Sequence, residues 1–311
     1  MKYFQKFFSD TVFEGDEVKV LCPFHSDTHP SASVNTLKNT FHCFVCDVGY
    51  NEEQFLAKVK GLTIKNATKL IQKLEESEVD WDYTYKADLW ADEDFLKSVL
   101  NLGLSKETIE TCRLGMALVD EKKFLAVPVF YNDFLVDVRR YNLLKHPNLP
   151  KMFADKGAQA GYVIPYDLWK KDLSTTYVFE GEKDMLCARD LGLNAITLTG
   201  GAGALPNEYV MEDFKDREVI ICYDNDDAGR QGSQRLFDHI HEHVASCKYI
   251  NIADVVKEPK EDFFDYIHKY DGDIFEFTML PTHDFEIKEK KIHLTPIKAA
   301  LANCVLHRPL T

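Results

Sequence analysis

Two groups of residues in this 311-residue chain have the types and spacing to do chemistry. The first lies near the N-terminus. Cys22 and His25 are separated by two residues, and so are Cys43 and Cys46. Two short knuckles, each offering two ligands, build a closed tetrahedral zinc site. The predicted ligands are Cys22, His25, Cys43 and Cys46. His29 and His42 compete for the ion, but His42 adjoins Cys43 and is poorly placed to share it. The alternative is three buried thiols and a surface histidine, which two such spacings disfavour. A four-ligand site is structural, and in a small lobe its metal supplies folding free energy.

The second group is acidic. An apolar run, Val219, Ile220, Ile221, Cys222 and Tyr223, ends in Asp224, Asn225, Asp226 and Asp227. A buried parallel strand delivers carboxylates to the sheet edge in this way, where open α/β folds place ligands. On continued strand geometry Asp224 and Asp226 share a face. Asp227 points the other way, to the turn and the following helix. Such carboxylates call for a cation, and hard oxygen ligands suit Mg2+ or Mn2+. The competing reading is a capped strand-to-helix turn, because Asp and Asn are good caps. A second apolar run, Val178 and Phe179, also ends in acid, at Glu180-Gly181-Glu182-Lys183-Asp184. The Gly-rich loop Thr199 to Gly203 is not a P-loop, since no Gly-Lys-Ser/Thr follows it.

Elements to position these groups can be read between them. Ser31 to Asn35 and Thr40 to Phe44 fit a β-ribbon carrying the knuckles. Glu52 to Val59 and Thr63 to Leu74 read as helices, and the acidic run Glu75 to Asp80 as a linker. Asp92 to Asn101 and Ser105 to Cys112 read as short helices. Phe124 to Phe130 and Phe134 to Tyr141 predict a hairpin whose exit carries Arg139 and Arg140. Beyond it, Tyr166 and Trp169 are expected to pack under the next sheet. From Thr176 onward strands alternate with helices. Strands are expected at Thr176 to Phe179, Ala195 to Leu198, Glu218 to Tyr223 and Tyr249 to Ala253. Helices are expected at Glu182 to Leu191, Asn207 to Phe214, Gly229 to Val244 and Asp262 to Lys269. This pattern predicts a parallel α/β sheet covered by helices on both faces. Ile297 to Leu306 reads as a helix.

Hydrophobic content of 45% and charged content of 28% are those of a globular protein. No apolar run reaches the length of a bilayer span, and residues 1 to 10 lack the features of a signal peptide. A cytoplasmic protein without membrane contact is expected. Its remaining cysteines, Cys112, Cys187, Cys222, Cys247 and Cys304, read as small buried hydrophobes. The net charge of −14 argues against a generally basic nucleic-acid surface. Residues 110 to 171 are locally basic, with ten Lys and Arg against seven Asp and Glu. Arg139, Arg140, Lys145, Lys151 and Lys156 are candidates to track a phosphate backbone.

The motifs resemble a known family. Cys22-Pro23-Phe24-His25-x-Asp27-x-x-Pro30-Ser31, with Phe41-x-Cys43-Phe44-x-Cys46-x-x-Gly49, is similar to the CHC2 zinc ribbon of bacterial and phage DnaG-type DNA primases. Arg140, Pro150-Lys151-Met152-Phe153 and Gly157 resemble that family's basic element more loosely. Glu180-Gly181-Glu182-Lys183-Asp184, Gly200-Gly201 and Asp224-Asn225-Asp226-Asp227-Ala228-Gly229 resemble the Toprim domain. Lys260-Glu261-Asp262 resembles a third acidic element, with Asp265 as the other register.

The resemblance implies an α/β (α+β overall) fold. A zinc-ribbon template-binding domain would span residues 1–75 and an N-terminal core subdomain 76–175. The Toprim domain would span 176–270 and a C-terminal extension 271–311. It implies synthesis of short RNA primers on single-stranded DNA from NTPs; because the chain carries no Walker-type NTPase motif, a separate replicative helicase is expected as partner. Glu180, Asp224 and Asp226 would be catalytic and, with Asp184 and Asp262, would bind Mg2+ or Mn2+. Arg139, Arg140, Lys151 and Lys183 would contact the NTP or nucleic acid. Phe41 and Phe44 offer faces for base stacking or for the ribbon's own core. Other readings are a Toprim nuclease, which the ribbon disfavours, and a non-catalytic zinc-ribbon DNA-binding accessory protein. A topoisomerase would need a further large domain.

Overall fold

Val18 and Val20 alternate with Glu17 and Lys19, and burial alternates with them: the valines face inward and the charged residues outward. This strand, β1 (Glu17–Val20), edges a four-stranded antiparallel sheet with β2 (Ala32–Asn35), β3 (Thr40–Cys43) and β4 (Val48–Asn51) in sequential order. The expected two-stranded ribbon is its middle pair. The computed structural model describes residues 2–8, 11–76, 85–155 and 158–286. Lys156, Gly157, Cys304, the linker beyond Glu76 and the helix expected at Ile297 to Leu306 lie outside them.

Phe41 on β3 is fully buried and packs 4.7 Å from Phe55, ring centre to ring centre. Phe55 belongs to α2 (Glu52–Lys60), which starts with a capping box between Asn51 and Gln54 and stops at the left-handed Gly61. Glu52 is buried because its carboxylate accepts the backbone N–H groups of Tyr3 (2.8 Å) and Phe4 (3.1 Å), binding α1 (Lys2–Phe7) to the ribbon. Next comes α3 (Ile64–Glu76).

The middle region opens with α4 (Ala87–Ala91), α5 (Glu93–Leu100) and α6 (Lys106–Thr111). Asp92 caps α5, and Ser105 caps α6. The predicted hairpin is present as β6 (Lys122–Tyr131) and β7 (Phe134–Tyr141). Asn132 and Asp133 turn it with positive φ, the requirement of a tight two-residue connection. Two unforeseen strands, β5 (Gly115–Val119) and β8 (Met152–Phe153), extend the hairpin to a four-stranded sheet.

The third sheet has six strands in the order β14-β13-β12-β10-β11-β9. Its parallel centre is β10 (Thr176–Phe179), β11 (Ala195–Leu198), β12 (Glu218–Cys222) and β13 (Ser246–Ile250). Two antiparallel edges close it, β9 (Val163–Ile164) and β14 (Thr282–Asp284), so the sheet is mixed. These edges also carry it beyond residues 176–270 at both ends. Helix α8 (Glu182–Asp190) packs on β10 and β11, and α9 (Asp227–Ile240) on β13. Trp169 on α7 (Tyr166–Lys171) is fully buried, its indole donating to Thr176 (3.0 Å). Asn207 to Phe214 forms a turn and a short 3-10 segment (Met211–Phe214) where a helix was expected. The Asn207 side chain accepts from Tyr209 N–H, and Tyr209 is buried in a stack on Tyr162, a packing that overrides helical propensity. Next, α10 (Phe263–Lys269) and α11 (Ile274–Thr278) precede β14.

Candidate active site and metal centre

In the ribbon, Cys22 and His25 follow β1, while Cys43 ends β3 and Cys46 lies in the turn before β4. Their donor atoms lie within 4.8 Å of one another. His25 Nδ1 is 3.1 Å from Cys46 Sγ and 3.9 Å from Cys43 Sγ, and the Cys22 and Cys46 sulfurs are 3.9 Å apart. Around a tetrahedral zinc, donors of these types sit about 3.5–3.8 Å apart. The spacing and donor set therefore fit a structural zinc ion. His42 and His29 stand outside the cluster.

Asp27 and Ser31, which the ligand spacing does not reveal, hold the first knuckle. Asp27 accepts from Cys22 N–H (2.8 Å) and from the Ser31 hydroxyl (2.6 Å), and Ser31 Oγ lies 3.3 Å from His25 Nε2. This leaves His25 Nδ1 for the metal and fixes the ring's orientation. Of the two phenylalanines considered for stacking, Phe41 is in the core. Phe44 is 62% exposed, with Lys19 over its ring at 4.8 Å.

The acidic residues converge at the carboxyl edge of the six-stranded sheet. Phe179 pairs with Cys222, so the next residues of β10 and β12 lead Glu180 and Asp224 off neighbouring strands. β10 has β11 on one side and β12 on the other, which makes this the crevice where strand order reverses. Two backbone bonds bring in the third element. Asn225 N–H donates to Glu261 O (3.1 Å), and Lys260 N–H donates to Asn225 O (2.9 Å). Asp262 thereby joins the cluster. Gly229 permits the tight entry into α9, because a Cβ there would lie 2.3 Å from the Asp224 carbonyl oxygen.

The electrostatics record the convergence. Burial, with the charges of Asp184, Glu180 and Asp262, pushes the Asp224 carboxyl up to about 8. Glu180 is raised by burial and then by Asp226. Asp184 is raised by burial and then by Asp262. Glu180 Oε2 is buried without a hydrogen-bond partner. An orphaned carboxylate oxygen among other carboxylates fits a hard divalent cation. Asp226 caps α9, accepting from Gly229 N–H (2.8 Å), so the cap that competed with the ligand reading is real. One of its oxygens does this work. Asp227 begins α9 and pairs with Arg230, as its expected direction requires. Asp262 and Asp265 form a capping box at α10, which accounts for Asp265.

The basic candidates divide. Lys151 is exposed, and its charge lowers the pKa values of Glu180, Asp184 and Asp224. Lys145 is also exposed. Arg139 is turned inward to Glu182 (3.0 Å), a partner that sequence reasoning missed because the two are 43 residues apart. Arg140 is buried and bonds Asp155 (3.0 Å) and the Val138 carbonyl. Lys183 is paired with Asp262. Both hairpin arginines are thus paired with carboxylates. Beside Asp224, between β12, β13 and the start of α9, lies a cleft of about 410 Å³ that includes Arg230, Tyr249 and Asn251.

A zinc ribbon joined to an α/β sheet with acidic strand ends defines the class. Residues 12–87 match the CHC2 zinc finger family, and residues 177–267 match a Toprim-like family. The relatives include bacterial DNA primases. That of Enterococcus faecalis is 25% identical, the match covering 82% of this chain and 52% of the relative. That of Listeria innocua is 33% identical over 32% of this chain and 14% of its own. The chain spans about half the length of curated relatives such as the E. faecalis primase. Among solved structures, the DnaG primase catalytic domain bound to ssDNA has a TM-score of 0.52 at 15% identity, covering 70% of this chain and 80% of that one. A DnaG catalytic core has a TM-score of 0.50 at 16% identity, covering 68% of this chain and 79% of that one. At these identities the likeness is one of fold. The chain is similar to bacterial DNA primases and has the mixed α/β fold of a DnaG catalytic core.

Proposed function

We propose that this chain primes DNA replication, joining ribonucleoside triphosphates into a short RNA primer on a single-stranded DNA template. The observation that carries the reading is the meeting of Glu180, Asp224 and Asp226 at the strand-order reversal, with Glu180 Oε2 buried and unpartnered. The relatives are DNA primases, and a related catalytic domain has been solved with ssDNA, which supports the same template here.

Glu180, Asp224 and Asp226 would hold Mg2+ or Mn2+. When bound, such an ion supplies charge neutralisation at the reacting phosphate and lowers the pKa of an attacking hydroxyl. The protein's own part is to fix those carboxylates on rigid strand ends and to keep the crevice partly dry. Lys151, exposed beside the cluster, would attract the triphosphate or the template phosphates. The ribbon, with Cys22, His25, Cys43 and Cys46 on zinc, would present Phe44 to template bases. Among the described residues no helix is long and apolar enough to cross a membrane. Work in the cytoplasm beside a separate replicative helicase is part of the proposal.

The test is template-directed incorporation of labelled ribonucleotides by the wild type and by Asp224→Ala. Loss of incorporation with an unchanged fold is expected. Full activity of the variant would overturn the assignment. Cleavage of single-stranded DNA with Mg2+ and no NTPs would identify a nuclease instead.

A further inference from the structure

The carboxylates at the sheet edge are not equivalent, and Lys183 marks the division. Lys183 opens α8 with its ammonium 2.7 Å from Asp262 Oδ2 and 4.3 Å from the centre of the Phe264 ring. The pair is nearly enclosed, with side chains 15% and 9% exposed. The second oxygen of Asp262 accepts from Asp265 N–H (3.0 Å). Asp184, also buried, accepts from Phe264 N–H (2.9 Å). The Asp184–Asp262 half therefore has donors of its own from α8 and α10. In the other half Asp226 accepts from Gly229 N–H (2.8 Å), while Glu180 Oε2 is buried with no donor.

We propose that Lys183 is a positioning residue that serves as a resident cation. It neutralises the Asp184–Asp262 half and leaves Glu180, Asp224 and Asp226 as the half that takes a divalent ion. The inference rests on the reading of these carboxylates as a cation site, and it narrows that site from five acids to three. A lysine ammonium is a compact point charge able to stand where a metal would otherwise be needed. Both oxygens of Asp262 are already engaged, so a metal there would have to compete with the ammonium.

The test is direct Mn2+ binding to the full zinc-loaded chain, followed by electron paramagnetic resonance and without reference to primer synthesis. Wild type is expected to bind one Mn2+ tightly. Lys183→Met leaves two carboxylates uncompensated, so Mn2+ affinity should rise about tenfold or a second ion should bind. Lys183→Arg should behave as wild type. Asp262→Asn frees the ammonium to face the remaining acids and should weaken Mn2+ binding, again about tenfold. This variant also keeps the inference testable if Lys183→Met does not fold, since unchanged affinity in Asp262→Asn overturns it. A bridge that merely fastens α8 to α10 would make both single variants shift in one direction, and that result overturns the proposal. Equal binding by wild type and Lys183→Met overturns it while sparing the cation site. No Mn2+ bound by any variant removes the cation site and the inference together.

Discussion

The two metal-type centres are built on opposite plans. In the ribbon, the ligands come in two local pairs, each from one knuckle, and their donor atoms converge within 4.8 Å. At the sheet edge, the acids arrive from three separate segments that end near residues 180, 224 and 262. They repel one another, and burial raises the pKa values of Glu180, Asp184 and Asp224. The first arrangement closes around an ion to hold the lobe together. The second keeps an unpartnered oxygen facing inward and stores repulsion that a bound cation would relieve. Local ligands suit a structural role, while ligands gathered from distant strand ends suit a site that must admit a substrate.

The contrast can be broken most severely at the ribbon. Chelation of zinc, or Cys43→Ser, is expected to remove on the order of 10 kcal/mol of folding free energy from that lobe. Limited proteolysis should then cut within residues 12 to 60 while the six-stranded sheet stays protected. Equal protection of both regions would show that the ion is not what closes the ribbon. Phe41→Ala should destabilise the same lobe by about 3–5 kcal/mol, measured by denaturant unfolding of the zinc-loaded protein.

At the sheet edge the sign reverses, and loss of an acid should stabilise. Asp224 titrates near 4 in an unfolded chain and at about 8 in the folded one. Between these values the folded state retains a proton that the unfolded state releases. Stability of the metal-free protein should therefore fall as pH rises from about 4 to about 8 and level off above. Asp224→Asn should flatten that slope and gain on the order of 1–3 kcal/mol at pH 8, read from thermal melts. Over the same window Mg2+ should bind more tightly as pH rises, releasing protons on binding. A pH-independent melt would remove the claim of stored repulsion. The smallest effect is expected at Phe44. Phe44→Ala should leave the fold unchanged and weaken single-stranded DNA binding by about 1–2 kcal/mol in a fluorescence titration.

Much of this contrast was legible from the chain alone. The ligand pairs announce themselves through spacing, and the strands ending at Phe179, Leu198 and Cys222 through short apolar runs bounded by acid or glycine. Strands of two or three residues, such as Met152–Phe153 and Val163–Ile164, carry no periodicity to read. They exist because a longer neighbour offers them hydrogen bonds. The roles of Arg139, Arg140 and Lys183 were equally hidden. A basic residue in sequence looks the same whether it will meet a phosphate or a carboxylate 43 or 79 residues away. Asp226 shows a further limit, since cap and candidate ligand proved to be compatible uses of one carboxylate.

The pair of backbone bonds between Asn225 and the Lys260–Glu261 segment has one more consequence. It fixes where Asp262 stands by docking, independently of how many residues the chain spends between α9 and that point. Evolution is then free to lengthen or shorten the turn between α9 and β13, and an engineer could graft an insertion there, without moving the acids. Comparison of such proteins by residue counting would lose the third acid, whereas superposition of that two-bond latch would recover it.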